Sequence, residues 1–452
     1  MKKMSIKSLI AAMLLSPLAL VSCGGGGSNN PEPPPVINVT GITLNKTTLT
    51  VGVGQTETLV ASLQPSNAVC GIVWKSSSMA AIAKREEVPP SSTGRATIFG
   101  NAPGTVTITA TTELNGGPTA ECTVTVPSGW SSGSAGAYVA GYSLVEDSSG
   151  QFASVLVPTV WKNGRRQPMD FTNRSTATSV FVSGNDVYSL VAGNSLPFSN
   201  PFGALVVYKN DKEIHRISEQ GYSFISPSFF VSGNDVYIAV TCRKYETGTG
   251  YSTYYPRLFK NGQAQSLGGD ENSLGEAYSV FVSNGIAYVW GGTGSVHGNV
   301  IWENGVRKPI PPCEKLFVSG TDVYSITMDG SDADGFYPII WKNGAIFKKC
   351  IGAGLIQTIT SMFVSGGDVY FVGESDLGAT LWKNDEQPKR LGDGKWKPQS
   401  VYVSGTDVHV AGYETISPVQ GVTTGAVLWI NGTIHSLDNG KGAAAYSVFV
   451  VK

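Results

Sequence analysis

The sequence predicts an all-β chain in two parts: a small N-terminal β-sandwich, then a seven-bladed β-propeller closed by the C-terminal strand. Three observations carry this. Glycine supplies 55 of 452 residues, and only 14% of residues are charged while 41% are hydrophobic, against about 25% charged in ordinary globular domains. Short apolar and polar alternations punctuated by Gly, Pro and Asn run from residue 36 onward, the pattern of half-buried strands joined by tight turns. Two short words then recur through residues 136–452. The same numbers exclude other classes. Basic and acidic residues nearly cancel, 32 against 33, and without a basic run nucleic acid is not the expected partner. Plentiful apolar residues and the lack of a Gly period of three exclude collagen and wholesale disorder.

Residues 1–22 have the form of a secretory signal: Lys2, Lys3 and Lys7 precede an apolar run from Leu9 to Val21, interrupted only by Ser16 and Pro17. The run is too short for a spanning helix. Leu20-Val21-Ser22-Cys23 resembles the lipobox of bacterial lipoproteins, which implies cleavage before Cys23 and lipidation of its thiol. Acyl chains contribute about 0.8 kcal/mol per buried methylene, so a multiply acylated Cys23 holds a folded body at a membrane. The implied location is the cell envelope, lipid-anchored at the outer membrane and surface-exposed. Residues 23–35 are a tether, Gly-rich and then Pro-rich, flexible first and stiffer later. Loss of the signal removes three lysines and leaves 29 basic against 33 acidic residues, a net charge of about −4.

Residues 36–126 read as about seven strands in roughly 90 residues, the size of an immunoglobulin-like sandwich. Val39-Thr40-Gly41-Ile42-Thr43-Leu44-Asn45, Val73-Trp74-Lys75-Ser76-Ser77, Gly104-Thr105-Val106-Thr107-Ile108-Thr109-Ala110 and Cys122-Thr123-Val124-Thr125-Val126 resemble the bacterial immunoglobulin-like group 2 family. The resemblance implies a spacer or an adhesive module, and nothing in the segment has catalytic form. An insertion over residues 84–94 carries Glu86, Glu87, Pro89 and Pro90 and reads as a long loop. Of six cysteines, Cys70 and Cys122 share this small domain and are the candidate disulfide pair in an oxidising compartment. No Cys/His cluster has metal-ligand spacing.

After a Gly/Ser linker at residues 127–135 the repeat begins. Its first word, Phe-Val-Ser-Gly-x-Asp-Val-Tyr, spans residues 181–188, 230–237, 317–324 and 363–370, with looser copies at 281–288 and 402–409. The second is an aromatic residue, then usually Lys, then Asn-Gly or Asn-Asp, starting at Trp161, Tyr208, Phe259, Trp302, Trp341, Trp382 and Trp429. Each unit holds two hairpins, because Ser-Gly-x-Asp is a turn and Asn-Gly is the strongest short-range hairpin signal. Four strands at a period near 45 residues predict propeller blades. The array begins at 136–139 with a second strand and ends at 447–450 with a first. Together they make one blade, and closure removes the exposed sheet edges.

This pattern explains most polar candidates without a ligand. Asp186, Asp235, Asp322, Asp368 and Asp407 follow Ser-Gly at hairpin tips and read as Asx-turn acceptors for backbone amides. His215, His409 and His435 occupy repeat positions, and His297 stands alone in a Gly-rich loop. Both short turns fall on one face, so the long variable connections fall on the other, where ligand binding is expected. The richest connection supplies Arg243, Tyr245, Tyr251, Tyr254 and Tyr255, groups suited to stacking on sugar rings or gripping a protein. Trp396, and Phe198 with Phe202, extend the candidate surface. Residues 329–335, Asp-Gly-Ser-Asp-Ala-Asp-Gly, resemble half a calcium loop but lack its distal bidentate Glu, so no metal or cofactor is expected.

Signatures of Ser hydrolases, zinc proteases, phosphate-binding loops, sialidase boxes and the WD and kelch propellers are missing. A glycosidase needs only two carboxylates, and Asp270 or Glu271 with Asp332 keeps a glycoside hydrolase or lyase as the alternative. A purely structural or adhesive surface protein is the other. The leading expectation is a non-catalytic surface lipoprotein whose propeller binds a glycan, a small nutrient or a protein, with an outer-membrane transporter as a candidate partner. In its two-part design the chain is similar to bacterial lipoproteins that join a group 2 immunoglobulin-like domain to a propeller.

Overall fold

The computed structural model describes residues 38–452 except 53–54, 79–80, 87–90, 101–103, 115, 128–134, 146–154, 168, 170–174, 194–202, 246–251, 266, 268–273, 294–297, 330–336, 352–354, 418–421 and 438–441. The described residues contain strands and no helix, hence no helix long and apolar enough to cross a membrane. The signal, Cys23, the tether, Phe198, Phe202, Tyr251, Asp270, Glu271, His297 and Asp332 lie outside the described residues.

The N-terminal part is a sandwich of two four-stranded sheets. One joins Gly41–Leu44, Thr56–Gln64, Thr93–Gly100 and Ala81–Arg85; the other joins Thr48–Thr50, Thr119–Val126, Gly104–Thr112 and Ile72–Ser76. Strict alternation explains the packing. Leu59, Ala61 and Leu63 on one sheet face Ile108, Ala110, Cys122 and Val124 on the other, all buried in a single core. The described strands number eight rather than seven, because the insertion's ends, Lys84 and Gly94, belong to paired strands.

The expected Cys70–Cys122 disulfide is not formed; both are free cysteines. Cys122 pairs with Ile108, which pairs with Ser76, so Cys70 lies six residues along and two strands across from it. That geometry separates them by roughly 20 Å, beyond the roughly 7 Å Cα limit of a disulfide. Cys122 is instead a core residue whose thiol is pushed up by burial.

Residues 136–452 form seven four-stranded antiparallel sheets among the described residues, a propeller-like arrangement. Sheet 1 joins Gly136–Val145, Val155–Lys162 and Arg165–Arg166 to the C-terminal strand Ala443–Val451, which pairs with Gly136–Val145. Sheets 2 to 7 each use four consecutive strands, with inner strands Ser175–Ser183, Tyr222–Ser232, Gly275–Ser283, Lys315–Ser319, Ile356–Ser365 and Trp396–Ser404. Every consecutive pair of sheets shares a hydrophobic cluster, and the last pair in the circuit is sheet 7 with sheet 1. Trp161, Trp382 and Trp429 are fully buried in these clusters. At the axis, Phe181, Phe230, Phe281, Phe317, Phe363, Tyr402 and Phe449 form a closed circuit of ring contacts, with centroids 4.5–6.4 Å apart.

The two words turn out to be halves of one joint. The hairpin asparagines Asn163, Asn210, Asn261, Asn304, Asn343, Asn384 and Asn431 all have φ of 46–60°, the left-handed backbone of a type I′ turn that Asn tolerates. Each accepts at Oδ1 a backbone N–H from the start of the neighbouring second strand, at 2.8–3.0 Å. Five donate from Nδ2 to the Asp of the first word. These aspartates were expected to close Asx turns on backbone amides; their partners are the Asn and, in four sheets, the Lys beside it. The short turns of the seven sheets therefore lie on one face, and the longer connections lie on the other.

The joint is titratable. Lys209, Lys260 and Lys342 hold Asp186, Asp235 and Asp322 below the usual carboxylate range, and Asn384 followed by Lys383 does the same for Asp368. The lysines are raised in turn by hydrogen bonds to carboxylates. A depressed carboxylate stabilises the fold above its unfolded pKa and loses that contribution as pH falls through its folded value; a raised lysine loses its contribution as pH rises through its own. Melting temperature should be level between about pH 5 and 9, falling below about pH 4 and above about pH 10.5. Replacing all four aspartates by Asn should flatten the acid limb, and an unchanged limb would contradict the joint. Alkylation of the denatured protein followed by mass spectrometry should label Cys70 and Cys122 equally with and without reductant; a reductant requirement would restore the disulfide.

Candidate ligand-binding site

A cavity of about 650 Å³ sits at the axis, with Phe281 of the aromatic circuit among its walls. All seven sheets line it through their inner strands or the residue just before one: Thr178 and Ser179, Ser226 to Ser228, Tyr278 and Ser279, Glu314 and Lys315, Thr360 and Ser361, Gln399 and Ser400, Tyr446 and Ser447. The local cause is a repeated bulge. Register shifts occur between Ala177 and Ser179, Ile225 and Ser228, Ala277 and Ser279, Ile359 and Ser361, Pro398 and Ser400, and Ala445 and Ser447. A bulge leaves one residue out of the ladder and re-aims its side chain. The skipped residues Thr178, Tyr278, Thr360, Gln399 and Tyr446 all line the cavity, as do Ser226 and Pro227, which are skipped together. Ser226 has φ of 49°, a strained setting for a residue other than Gly or Asn.

In four sheets the serine after the bulge ties neighbouring sheets together. Ser447, Ser228, Ser361 and Ser400 accept the backbone N–H of Val180, Val280, Val401 and Val448 in the next sheet, at 3.0–3.3 Å. A hydroxyl that accepts such a bond still has its own proton to donate. In sheet 5 the same repeat position is Lys315. Its amine makes no hydrogen bond or ion pair among the described residues, and burial holds it below the ordinary lysine range against the opposing charge of Glu314.

Aromatic walls complete the site. Tyr278 meets Trp290 edge-on at 4.8 Å and donates its hydroxyl to Glu276 at 2.7 Å. Burial, then Glu276, pushes the phenol above its ordinary range. Tyr446 contacts Tyr142 and Tyr413, each at 6.0 Å, and is likewise pushed up by burial. Tyr278 and Asn299 also border a second groove of about 430 Å³ between sheets 3 and 4, with Tyr254, Leu274 and Glu276. The two cavities therefore share a wall.

The sequence-selected residues divide. Arg243 and Tyr254 are cross-strand partners, so they share the sheet face that looks toward sheet 4, and Arg243 Nε donates to Ser252 at 2.9 Å. Tyr254 is 36% exposed in the second groove, and Tyr245 is 57% exposed at the strand end. Tyr255 is a correction: it points to the opposite face, is 9% exposed, and packs edge-on against Tyr222 in the core between sheets 2 and 3. Trp396 is another. It starts the inner strand of sheet 7, against Trp429, with Lys395 over its ring, and so does not extend the surface around sheets 3 and 4. His409 is buried between neighbours of its own sheet, which lowers its pKa. Sequence reasoning missed Tyr278, Trp290, Lys315 and Tyr446, because the first word was taken to begin at its aromatic residue. The recurring Ser two positions earlier was the available signal.

Chemically, the axial cavity offers hydroxyls, amides, aromatic edges, one amine and one carboxylate, Glu314. Among the described residues no group of three or more His, Cys, Asp and Glu is placed to hold a metal ion. The arrangement suits reversible recognition of a polar molecule, within the roughly 300–1,000 Å³ typical of small-ligand sites.

Residues 38–124 match the family model of the bacterial Ig-like domain (group 2). No curated protein matches the chain. Among solved structures, domains 5–6 of the S-layer protein SbsC are similar at 15% identity and a TM-score of 0.18, covering 59% of this chain and 96% of that one. The β-propeller domain of the Trilobed protease from Pyrococcus furiosus, described as having an open velcro topology, is similar at 11% identity and a TM-score of 0.31, covering 59% and 97%. Domains 4–9 of the surface layer protein SbsC are similar at 13% identity and a TM-score of 0.19, covering 90% and 82%.

Proposed function

We propose that the chain is a lipid-anchored surface protein in which the Ig-like domain spaces a seven-bladed β-propeller from the membrane, and that the propeller binds a glycan at its axis without transforming it. The observation that carries the binding reading is the axial cavity itself: all seven sheets line one space, and the six bulged inner strands present hydroxyls, an amide and tyrosines to it. Hydroxyls that both donate and accept match the hydroxyls of a sugar, and Tyr278 with Trp290 supplies an apolar surface for a sugar ring. The seven sheets, the cyclic run of shared clusters and the C-terminal strand in sheet 1 support the propeller reading. The lipobox at residues 20–23 supports the anchor, and the match of residues 38–124 supports the spacer.

Capture on an array of immobilised oligosaccharides tests the binding. Tyr278→Ala should weaken retention about tenfold or more, the loss of roughly 1.4 kcal/mol, while Tyr245→Ala, outside both cavities, should not. Equal retention by Tyr278→Ala would remove the axial cavity from the account. For the anchor, Cys23→Ala should abolish incorporation of labelled palmitate and release the protein from the membrane fraction; membrane retention without label would overturn lipidation.

A further inference from the structure

The seven equivalent positions at the cavity are six serines, Ser179, Ser228, Ser279, Ser361, Ser400 and Ser447, and one lysine, Lys315. The fold does not require a lysine there, since serine serves in every other sheet. Nor does the structure use it, because its amine has no partner among the described residues. The neighbouring sheet 4 packs closely against this strand. Ser279 and Trp290 are register partners, hence on one face of sheet 4, and Trp290 packs with Leu316 and Val318 of sheet 5, on the strand that begins with Lys315. Both residues line the cavity, with Ser279 Oγ and Trp290 Nε1 buried beneath its surface and without a hydrogen-bond partner among the described residues. A buried donor without a partner is costly, so the unpaired amine of Lys315 at the cavity wall amounts to a preference for an acceptor-rich ligand. An ammonium only donates and carries a positive charge, which favours an anion over a neutral hydroxyl compound. The remaining serines strengthen this, since those that accept a neighbour's backbone N–H retain a proton to donate.

We infer that the axial cavity is specific for an acidic sugar, with the anionic group held at the junction of sheets 4 and 5 by Lys315. The inference rests on the glycan reading above and narrows it. Glu314, the one carboxylate among the lining residues, disfavours polyanions by like-charge repulsion and limits the ligand to one anionic group near the lysine. The ammonium supplies a charge-assisted bond, about twice the strength of a neutral one.

Titration calorimetry of the full-length protein with galacturonic acid, galactose 6-sulfate and galactose tests this. The wild type should bind at least one of the two acids about tenfold or more tightly than galactose; the sulfate and carboxylate arms separate the two anionic groups. Lys315→Ser installs the residue the fold already accepts in six sheets, so it should melt like the wild type, and it should bind the acids no better than galactose. Lys315→Arg should retain the preference. Equal wild-type affinity for acids and galactose, or a preference that survives in Lys315→Ser, overturns the acidic-sugar inference while leaving glycan binding in place. No binding of any of the three also overturns it, and the oligosaccharide array then decides the broader reading separately.

Discussion

The closed circuit of seven aromatic rings at the axis is the constraint on which the rest depends. Each ring touches one from the sheet before and one from the sheet after, so no sheet can shift without opening a gap in two contacts. Packed interiors tolerate such gaps poorly. The circuit closes only because Phe449, from the last strand of the chain, lies between Tyr402 and Phe181. Closure is thus a long-range event, joining residues near 140 to residues near 450. The axial cavity follows from it, since its lining residues come from all seven inner strands and have no common wall until the ring is shut.

Two residues beyond each ring, at the short-turn face, the hairpin Asn holds the turns, joined by Asp in five sheets and by Lys in four. This joint uses exposed groups, where single ion pairs contribute little, and its strength lies in the asparagine, which satisfies a backbone donor that would otherwise be unpaired. With one face set by these joints and the axis set by the aromatic rings, variation is left to the opposite face and to the bulged residues. That division accounts for a chain whose repeats are so alike at their turns and so different in Thr178, Tyr278, Gln399 and Tyr446.

The periodic parts of this architecture were legible in the sequence because each repeated word is one hairpin. Strand pairing, sheet number and the use of the C-terminal strand all follow from counting words and noticing that both ends of the array were incomplete. The candidate site was legible only in fragments. Tyr255 looked equivalent to Tyr254, but adjacent strand residues face opposite ways, and only the register shows that Tyr254 shares Arg243's face. Trp396 was grouped with that surface by residue type, although its sheet lies elsewhere in the ring. The disulfide failed for a similar reason, since two cysteines in one small domain can still be separated by an intervening strand and several residues of offset. Lys315 was visible all along as the one exception in a column of serines; its meaning depended on the bulge that turns this column toward the axis.

The central claim is that ligand recognition happens at this axis. Hydrogen–deuterium exchange of the full-length protein, with and without an oligosaccharide retained by array capture, addresses it directly. The account predicts protection concentrated in peptides covering residues 275–282 and 313–318, with smaller effects on the other inner strands. Protection confined to residues 38–126 or to the outermost strands, with the inner strands unchanged, would contradict it.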